Sequence, residues 1–208
     1  MNRCVIVGGA DIADYERIRS RLRKDDFFIF CDSGLKHRMG LGRNPGLIVG
    51  DFDSAENPNL DVETIVLPCE KDDTDTVYAV KEAVRRGYEE FLLIGVCGGR
   101  LDHTLGNVSI LLYLDAIGKK AAILDDYSEM EIVSGQTVRI EDNCLYFSLL
   151  NISGCAEGIT IRNAKYPLED AVIRSEYQYG ISNEVLPGKT AEVSVRKGNL
   201  LLIRIDRE

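Results

Sequence analysis

Asp51 and Asp53 stand two residues apart in Gly50-Asp51-Phe52-Asp53-Ser54, directly after the apolar run Leu47-Ile48-Val49. In extended backbone, residues i and i+2 point to the same side. The two carboxylates are therefore expected to converge at a strand's C-terminal end, with Phe52 turned the other way into the core. Carboxylates so placed repel each other unless a cation lies between them. A hard divalent cation with oxygen ligands, Mg2+ above all, suits that arrangement. A polar loop with an Asx turn would also accommodate these residues taken alone.

Other clusters keep this pair company. Lys71-Asp72-Asp73-Thr74-Asp75 precedes a helical stretch. Asp72 or Asp73 can cap that helix, but three carboxylates and a lysine exceed what a cap requires. Asp72 and Asp75 are three apart and can share a face once the helix begins. Gly95-Val96-Cys97-Gly98-Gly99-Arg100-Leu101-Asp102-His103 follows another apolar run. Glycines there let backbone amides approach phosphate oxygens at a helix N-terminus, and Arg100 can hold phosphate by paired hydrogen bonds. The stretch is no P-loop, since no Gly-Lys-Ser/Thr follows, and Gly8-Gly9 lacks the third glycine of a dinucleotide fingerprint. Asp102 falls at the same edge as Asp51 and Asp53. His103, beside a helix N-terminus, can cap, pack or act as a base. In the C-terminal half, Ser182-Asn183 after Tyr177-Gln178-Tyr179-Gly180 reads equally as a polar turn or as a ligand contact.

The elements that must position these groups alternate along the first part of the chain. Apolar strands are expected at Cys4-Val5-Ile6-Val7, Phe27-Phe28-Ile29-Phe30-Cys31, Leu47-Ile48-Val49, Thr64-Ile65-Val66-Leu67, Phe91-Leu92-Leu93-Ile94 and Ala121-Ala122-Ile123-Leu124. Helical spacing covers about 13–24, 73–87 and 102–117. Continuous apolar strands imply burial on both faces, hence an α/β domain with a mainly parallel sheet flanked by helices, Rossmann-like in plan. Ligands of such folds sit beyond the strand C-termini, where each cluster above falls. Asp32, ending the second strand, joins this edge. From Glu131 onward short strands replace helices, and Lys197-Gly198-Asn199 reads as a hairpin loop. The expected division is 1–132, α/β, and 133–208, a small β-sandwich or barrel. A core that small is expected to pack on the first domain or on a second subunit.

Bulk properties narrow the function. The chain has 208 residues, 45% hydrophobic and 28% charged, and a formal charge of -9. An acidic protein is a poor nucleic-acid partner. If it handles phosphate compounds, metal ions must bridge the two negative parties. The six cysteines form no C-x-x-C pair and read as buried free thiols. No signal peptide and no apolar run of about 18 residues is visible, so the expected location is the cytoplasm, with no membrane partner.

In their order, Gly50-Asp51-Phe52-Asp53-Ser54, Lys71-Asp72-x-Thr74-Asp75, Gly98-Gly99-Arg100-x-Asp102-His103 and the late Ser182-Asn183 resemble the thiamine pyrophosphokinase (thiamine diphosphokinase) family. Lys165-Tyr166-Pro167-Leu168 is also similar to a stretch of its bacterial members. The resemblance spans essentially the whole chain. It implies Mg2+-dependent transfer of the terminal diphosphate of ATP, the co-substrate, to the hydroxyethyl oxygen of thiamine, with AMP released. It implies a homodimer, with thiamine between the α/β domain of one subunit and the β domain of the other. Metal ligands carry over onto Asp51, Asp53 and Asp75, with Asp102 near the metal or the attacking hydroxyl. Asp72 and Asp102 are the alternatives for the base, and Arg100 is placed with the catalytic set. Asp32, Lys71, Gly98, Gly99, Arg100 and His103 form the nucleotide set, and Ser182 and Asn183 contact thiamine. An aromatic often stacks on thiamine's pyrimidine in the family. This chain has no Trp, so a tyrosine must serve. Two other readings compete: a related diphosphokinase acting on another small alcohol such as a pterin, and a non-enzymatic nucleotide-sensing module.

Overall fold

The computed structural model describes residues 2–52, 60–70 and 72–207. Asp53, Ser54 and Lys71, named above, lie outside the described residues. The chain divides into two compact units, Met1–Asp126 and Tyr127–Glu208. The division falls several residues before the expected 132/133, because the strand Ser128–Val133 pairs antiparallel with Leu200–Ile205 and belongs to the second unit.

The first unit holds strands β1 (Arg3–Val7), β2 (Phe27–Cys31), β3 (Leu47–Gly50), β4 (Thr64–Val66), β5 (Glu90–Ile94) and β6 (Lys120–Leu124). Their spatial order is β6-β5-β1-β2-β3-β4. Each pairing among them is parallel. All residues of β1 and β3 are buried, as continuous apolar runs require. The chain leaves β1 toward β2 on one side and returns at β5 on the other, so the crevice at the strand C-termini opens between β1 and β5. Helices α1 (Tyr15–Ser20) and α2 (Arg38–Leu41) bury Ile18 and Leu41 against Val5, Val7, Phe28 and Phe30. Helix α3 (Asp75–Arg85) packs on β1, β2 and β3 through a stripe that includes Ala79, Val80 and Ala83, and α4 (Leu101–Ala116) packs on β6.

Two helices differ from the expected spans. Asp14 caps α1 by accepting from Arg17 N–H at 2.9 Å, and the helix ends at Ser20. Asp26 takes Arg23 N–H and the guanidinium of buried Arg3, which draws the chain out of the helical path. α3 begins at Asp75, not near 73, because Thr74 is its cap and accepts from Val77 N–H. Neither Asp72 nor Asp73 caps this helix. Asp73 instead pairs with Lys81 at 2.7 Å. Asp72 lies outside the helix, so it shares no helical face with Asp75. A 3-10 helix over Asp32–His37, not anticipated, follows β2 directly.

The second unit is an antiparallel sandwich. Its strands are β7 (Ser128–Val133), β8 (Val138–Glu141), β9 (Tyr146–Leu150), β10 (Cys155–Arg162), β11 (Leu168–Arg174), β12 (Gly180–Asn183), β13 (Thr190–Ser194) and β14 (Leu200–Ile205). Within this unit β12-β9-β14-β7 form one sheet and β11-β10-β13-β8 the other. Phe147, Leu149, Leu200 and Leu202 of the first share a core with Ile140, Ile159, Ile173 and Val193 of the second. Lys197-Gly198-Asn199 is not a hairpin loop. It joins β13 to β14, which lie in different sheets. Gly198 (φ 83°) is needed there, since a Cβ would sit 2.5 Å from the Cys155 carbonyl oxygen. Among the described residues no helix is long and apolar enough to cross a membrane.

Candidate functional site

Three loops interlock at the C-terminal edge of the parallel sheet. A Cβ on Gly8 would stand 2.5 Å from the Gly95 carbonyl oxygen. One on Gly9 would collide with Ser33, and one on Gly34 with the Val7 carbonyl. The turns after β1, β2 and β5 therefore touch backbone to backbone, and only glycine permits that approach. They wall a cavity of about 410 Å³, beside a second of about 330 Å³ that reaches Asp51 and Asp75. Gly8, Gly9, Ser33, Thr76, Arg100 and His103 line both. Gly98 (φ 102°) and Gly99 (φ 66°) make the turn into α4. Gly98 N–H donates to Thr104 Oγ1 at 3.1 Å, and that hydroxyl donates to the Arg100 carbonyl.

The carboxylates gather on one side of this edge. Asp32 opens the 3-10 helix after β2, Asp51 follows β3, and Asp75 is the first residue of α3. One oxygen from each lies within 4.8 Å of the others. Three carboxylates offering only oxygen fit a hard divalent cation. Asp32 was expected in the nucleotide set, and its carboxylate in fact meets Asp51 and Asp75. The parallel pairing of β2 with β3 sets Cys31 beside Val49, so the residues that follow emerge side by side. The convergence anticipated from strand alternation was that of Asp51 with Asp53, and it falls outside the described residues. β3 ends at Gly50, and half-buried Phe52 takes φ 54°, a left-handed conformation. The Cys31 thiol beside them is pushed up to about 12 by burial and by the nearby Asp75 charge, so it stays protonated.

Arg100 and Asp102 face each other at the start of α4. Arg100 donates through Nε at 3.1 Å and through Nη2 at 2.5 Å to the two oxygens of Asp102. Asp102 also accepts His103 N–H at 3.0 Å. The Arg100 hydrogen bonds, then the His103 amide, hold the Asp102 pKa down at about 2. Asp102 is not among the three carboxylates whose oxygens converge. Asp72 is exposed. Lys36, Thr76 and Asn107 also line the larger cavity, and none was singled out from the sequence. Asn107 is buried and donates to the Val96 carbonyl at 2.8 Å, fixing the turn after β5. Its position four residues after His103 on one helix face was the available signal.

In the second unit Ser182 is exposed, has φ 55° and donates its N–H to Ser148 Oγ at 3.0 Å. Asn183 is 3% exposed. Its Oδ1 accepts Tyr166 N–H at 3.0 Å and Glu184 N–H at 2.9 Å, while Nδ2 donates to the Tyr166 carbonyl at 2.8 Å. Its amide thus holds the backbone of Tyr166, whose ring is 57% exposed, with Lys165 Nζ 5.7 Å from its centroid.

An α/β unit gathers carboxylates and glycine turns at its strand ends, an arrangement suited to an enzyme that handles phosphate through a hard cation, and an antiparallel sandwich follows it in sequence. Residues 18–123 match the profile "Thiamin pyrophosphokinase, catalytic domain", and residues 136–200 match "Thiamin pyrophosphokinase, vitamin B1 binding domain". The chain is 29% identical over 185 residues to the thiamine pyrophosphokinase of Bacillus subtilis (strain 168), covering 85% of this chain and 86% of that one. Among solved structures it is similar to thiamin pyrophosphokinase from Geobacillus thermodenitrificans, with TM-score 0.82, 29% identity and coverage of 99% of this chain and 98% of that one. Thiamine pyrophosphokinase from Bacillus subtilis matches in fold, with TM-score 0.87 over 100% of both chains at 24% identity. The chain belongs to the thiamin pyrophosphokinase family.

Proposed function

We propose that the chain is a Mg2+-dependent thiamine diphosphokinase, moving the terminal diphosphate of ATP onto the hydroxyethyl oxygen of thiamine and releasing AMP. The observation that carries this reading is the meeting of Asp32, Asp51 and Asp75 within 4.8 Å, beside a glycine-walled cavity, in a chain matched by both family domains. The match of a vitamin B1 binding domain over 136–200 favours thiamine over another small alcohol such as a pterin.

In this reading the first unit is a Rossmann-like nucleotide domain. Asp32, Asp51 and Asp75 hold the cation, with Asp53 as a further ligand. A divalent cation held there would supply charge neutralisation for the polyphosphate and Lewis-acid polarisation. The turns after β1 and β5 admit the phosphates close to backbone, with Gly98 and Gly99 at the turn into α4. Arg100 supplies a planar pair of donors for phosphate oxygens. Asp102 holds that guanidinium in place until phosphate takes over. Lys71 and His103 complete the nucleotide set. Thiamine meets the second unit, where Asn183 fixes Tyr166 and Ser182 lies exposed. The exposed Tyr166 ring supplies the stacking surface that a chain without Trp requires. Two chains form a homodimer, each site drawing on the α/β unit of one and the sandwich of its partner.

Purified protein incubated with ATP, Mg2+ and thiamine, then separated by chromatography, tests the reading. AMP and thiamine diphosphate are expected in equal amounts. ADP with thiamine monophosphate, or no product with thiamine but turnover of another alcohol, would overturn it.

A further inference from the structure

His37 is buried, at 2% exposure, at the end of the 3-10 helix. It is one of only two histidines, and the reaction described above does not use it. Its Nε2 lies 2.8 Å from the Ala10 carbonyl oxygen and its Nδ1 2.7 Å from the Tyr15 hydroxyl. A carbonyl only accepts, so Nε2 carries a proton, and in the neutral ring Nδ1 accepts from the Tyr15 hydroxyl. Both ring nitrogens are engaged. Tyr15 is itself seated: a Cβ on Gly40 would collide with its ring.

Ala10 is the middle of a cavity wall. Its N–H donates to the Gly95 carbonyl at 2.8 Å, and Gly9 and Asp11 on either side line the same cavity. Lys36, preceding His37, lines the same cavity from the segment after β2 and pairs with Asp11 at 2.7 Å. The His37 hydrogen bond thus ties the wall after β1 to the wall after β2, next to an ion pair between the same two walls. A turn that begins Gly8-Gly9 has high conformational freedom, and a fixed partner for the Ala10 carbonyl removes much of it before a ligand arrives.

We propose that Tyr15 and His37 form a clamp that pre-sets the Gly9–Asp11 wall for the nucleotide, making His37 a positioning residue for ATP binding. Burial, the largest influence, holds the His37 pKa below its ordinary value, and Lys36 adds to this. The Ala10 carbonyl, Asp11 and Asp126 oppose it. The neutral form fits the donor and acceptor pattern.

The proposal rests on the cavity taking ATP, and the test separates the two ideas. His37→Asn keeps an acceptor near the Nδ1 position and loses the donor to Ala10. His37→Gln keeps the donor. On the full chain, His37→Asn is expected to raise the KM for ATP by about three- to tenfold, the worth of one neutral hydrogen bond. Its kcat and its KM for thiamine stay unchanged, and His37→Gln stays within about twofold of wild type by the same reasoning. Nitrogen-15 NMR, simple with two histidines, is expected to show one ring protonated at Nε2 only at pH 7. Equal KM values for the two variants, or a ring protonated at Nδ1, would overturn the clamp while wild type still bound MgATP by calorimetry. Wild type that bound no MgATP would overturn the nucleotide reading and the clamp with it. Should His37→Asn not fold, Tyr15→Phe and the tautomer decide: a Tyr15→Phe protein with unchanged KM for ATP and a changed tautomer would count against the clamp.

Discussion

At the scale of single residues, the three meeting carboxylates make the sharpest demand. Asp32→Asn, Asp51→Asn and Asp75→Asn each remove one charged oxygen ligand while keeping side-chain volume. Each is expected to lower kcat/KM on the order of a hundredfold or more, the scale of transition-state charge stabilisation by a metal, with the circular dichroism spectrum retained. Near-normal turnover at saturating Mg2+ in any one of them would remove that residue from the cation site. Arg100→Lys is expected to leave KM for ATP elevated, since an ammonium cannot make the paired contact; equal efficiency would make Arg100 a surface residue. Asp102 titrates near 2 because Arg100 holds it. Its folded pKa is depressed, so it is ionised at working pH and loses its proton-free form only as pH falls toward that value. Asp102→Asn is therefore expected to leave the acid limb of the pH–rate profile in place, and a displaced limb would make Asp102 the base. Asp51 and Asp75 were legible because one closes an apolar strand and the other opens a helix. The place of Asp32 was hidden, since which strands are neighbours is not written in either local stretch. The left-handed Phe52 was hidden too, because nothing in an aromatic residue announces a positive φ.

At the scale of elements, glycine does two different jobs, and substitutions should separate them. Gly34→Ala puts a methyl against the immobile Val7 carbonyl where two loops touch. It is expected to destabilise by about 1–3 kcal/mol, as overpacking does, lowering the thermal midpoint. Gly106 sits inside α4, where an added Cβ meets no atom within 4 Å. Gly106→Ala is expected to stabilise by up to about 1 kcal/mol, the helix-interior cost of glycine. Equal midpoints for the two variants would show that the loop contact is not close-packed. The strands of the first unit were legible because burial on both faces leaves uninterrupted apolar runs. β7, read as Ser-Glu-Met-Glu-Ile-Val, was not: its two glutamates break the run, and only pairing with β14 makes it a strand. β12 was obscured similarly, with Ser182-Asn183 serving as a turn signal, although Asn183 pairs with Phe147. The loop after β13 looked like a hairpin because turn residues report a change of direction, not the sheet to which the next strand goes.

At the scale of the whole molecule, the exposed apolar surface of the second unit bears on assembly. Val172, Tyr177, Tyr179 and Ile181 are all exposed. Three of them are also neighbours: the rings of Tyr177 and Tyr179 lie 5.5 Å apart, and the Tyr179 hydroxyl donates to the Val172 carbonyl at 2.5 Å. Scattered exposed apolar residues are ordinary, whereas a contiguous patch marks a contact surface. This supports a dimer in solution, to be checked by light scattering. The proposed sharing of a site between subunits is tested by mixing them. A variant of Asn183 would not isolate the thiamine contact, because that amide also holds the Tyr166 backbone. Tyr166→Ala removes an exposed ring and leaves the holding amide in place. Asp51→Asn and Tyr166→Ala proteins, each impaired alone, are expected to regain activity when mixed and allowed to exchange. Random pairing makes about half the dimers mixed, each with one intact composite site of two, so recovery should approach about a quarter of wild type. Recovery also has a direction that chance cannot supply: mixing Asp51→Asn with Asp75→Asn, two defects on the same unit, should restore nothing. A fully active monomer, or a confirmed mixed dimer that stays inactive, would mean that each chain completes its own site.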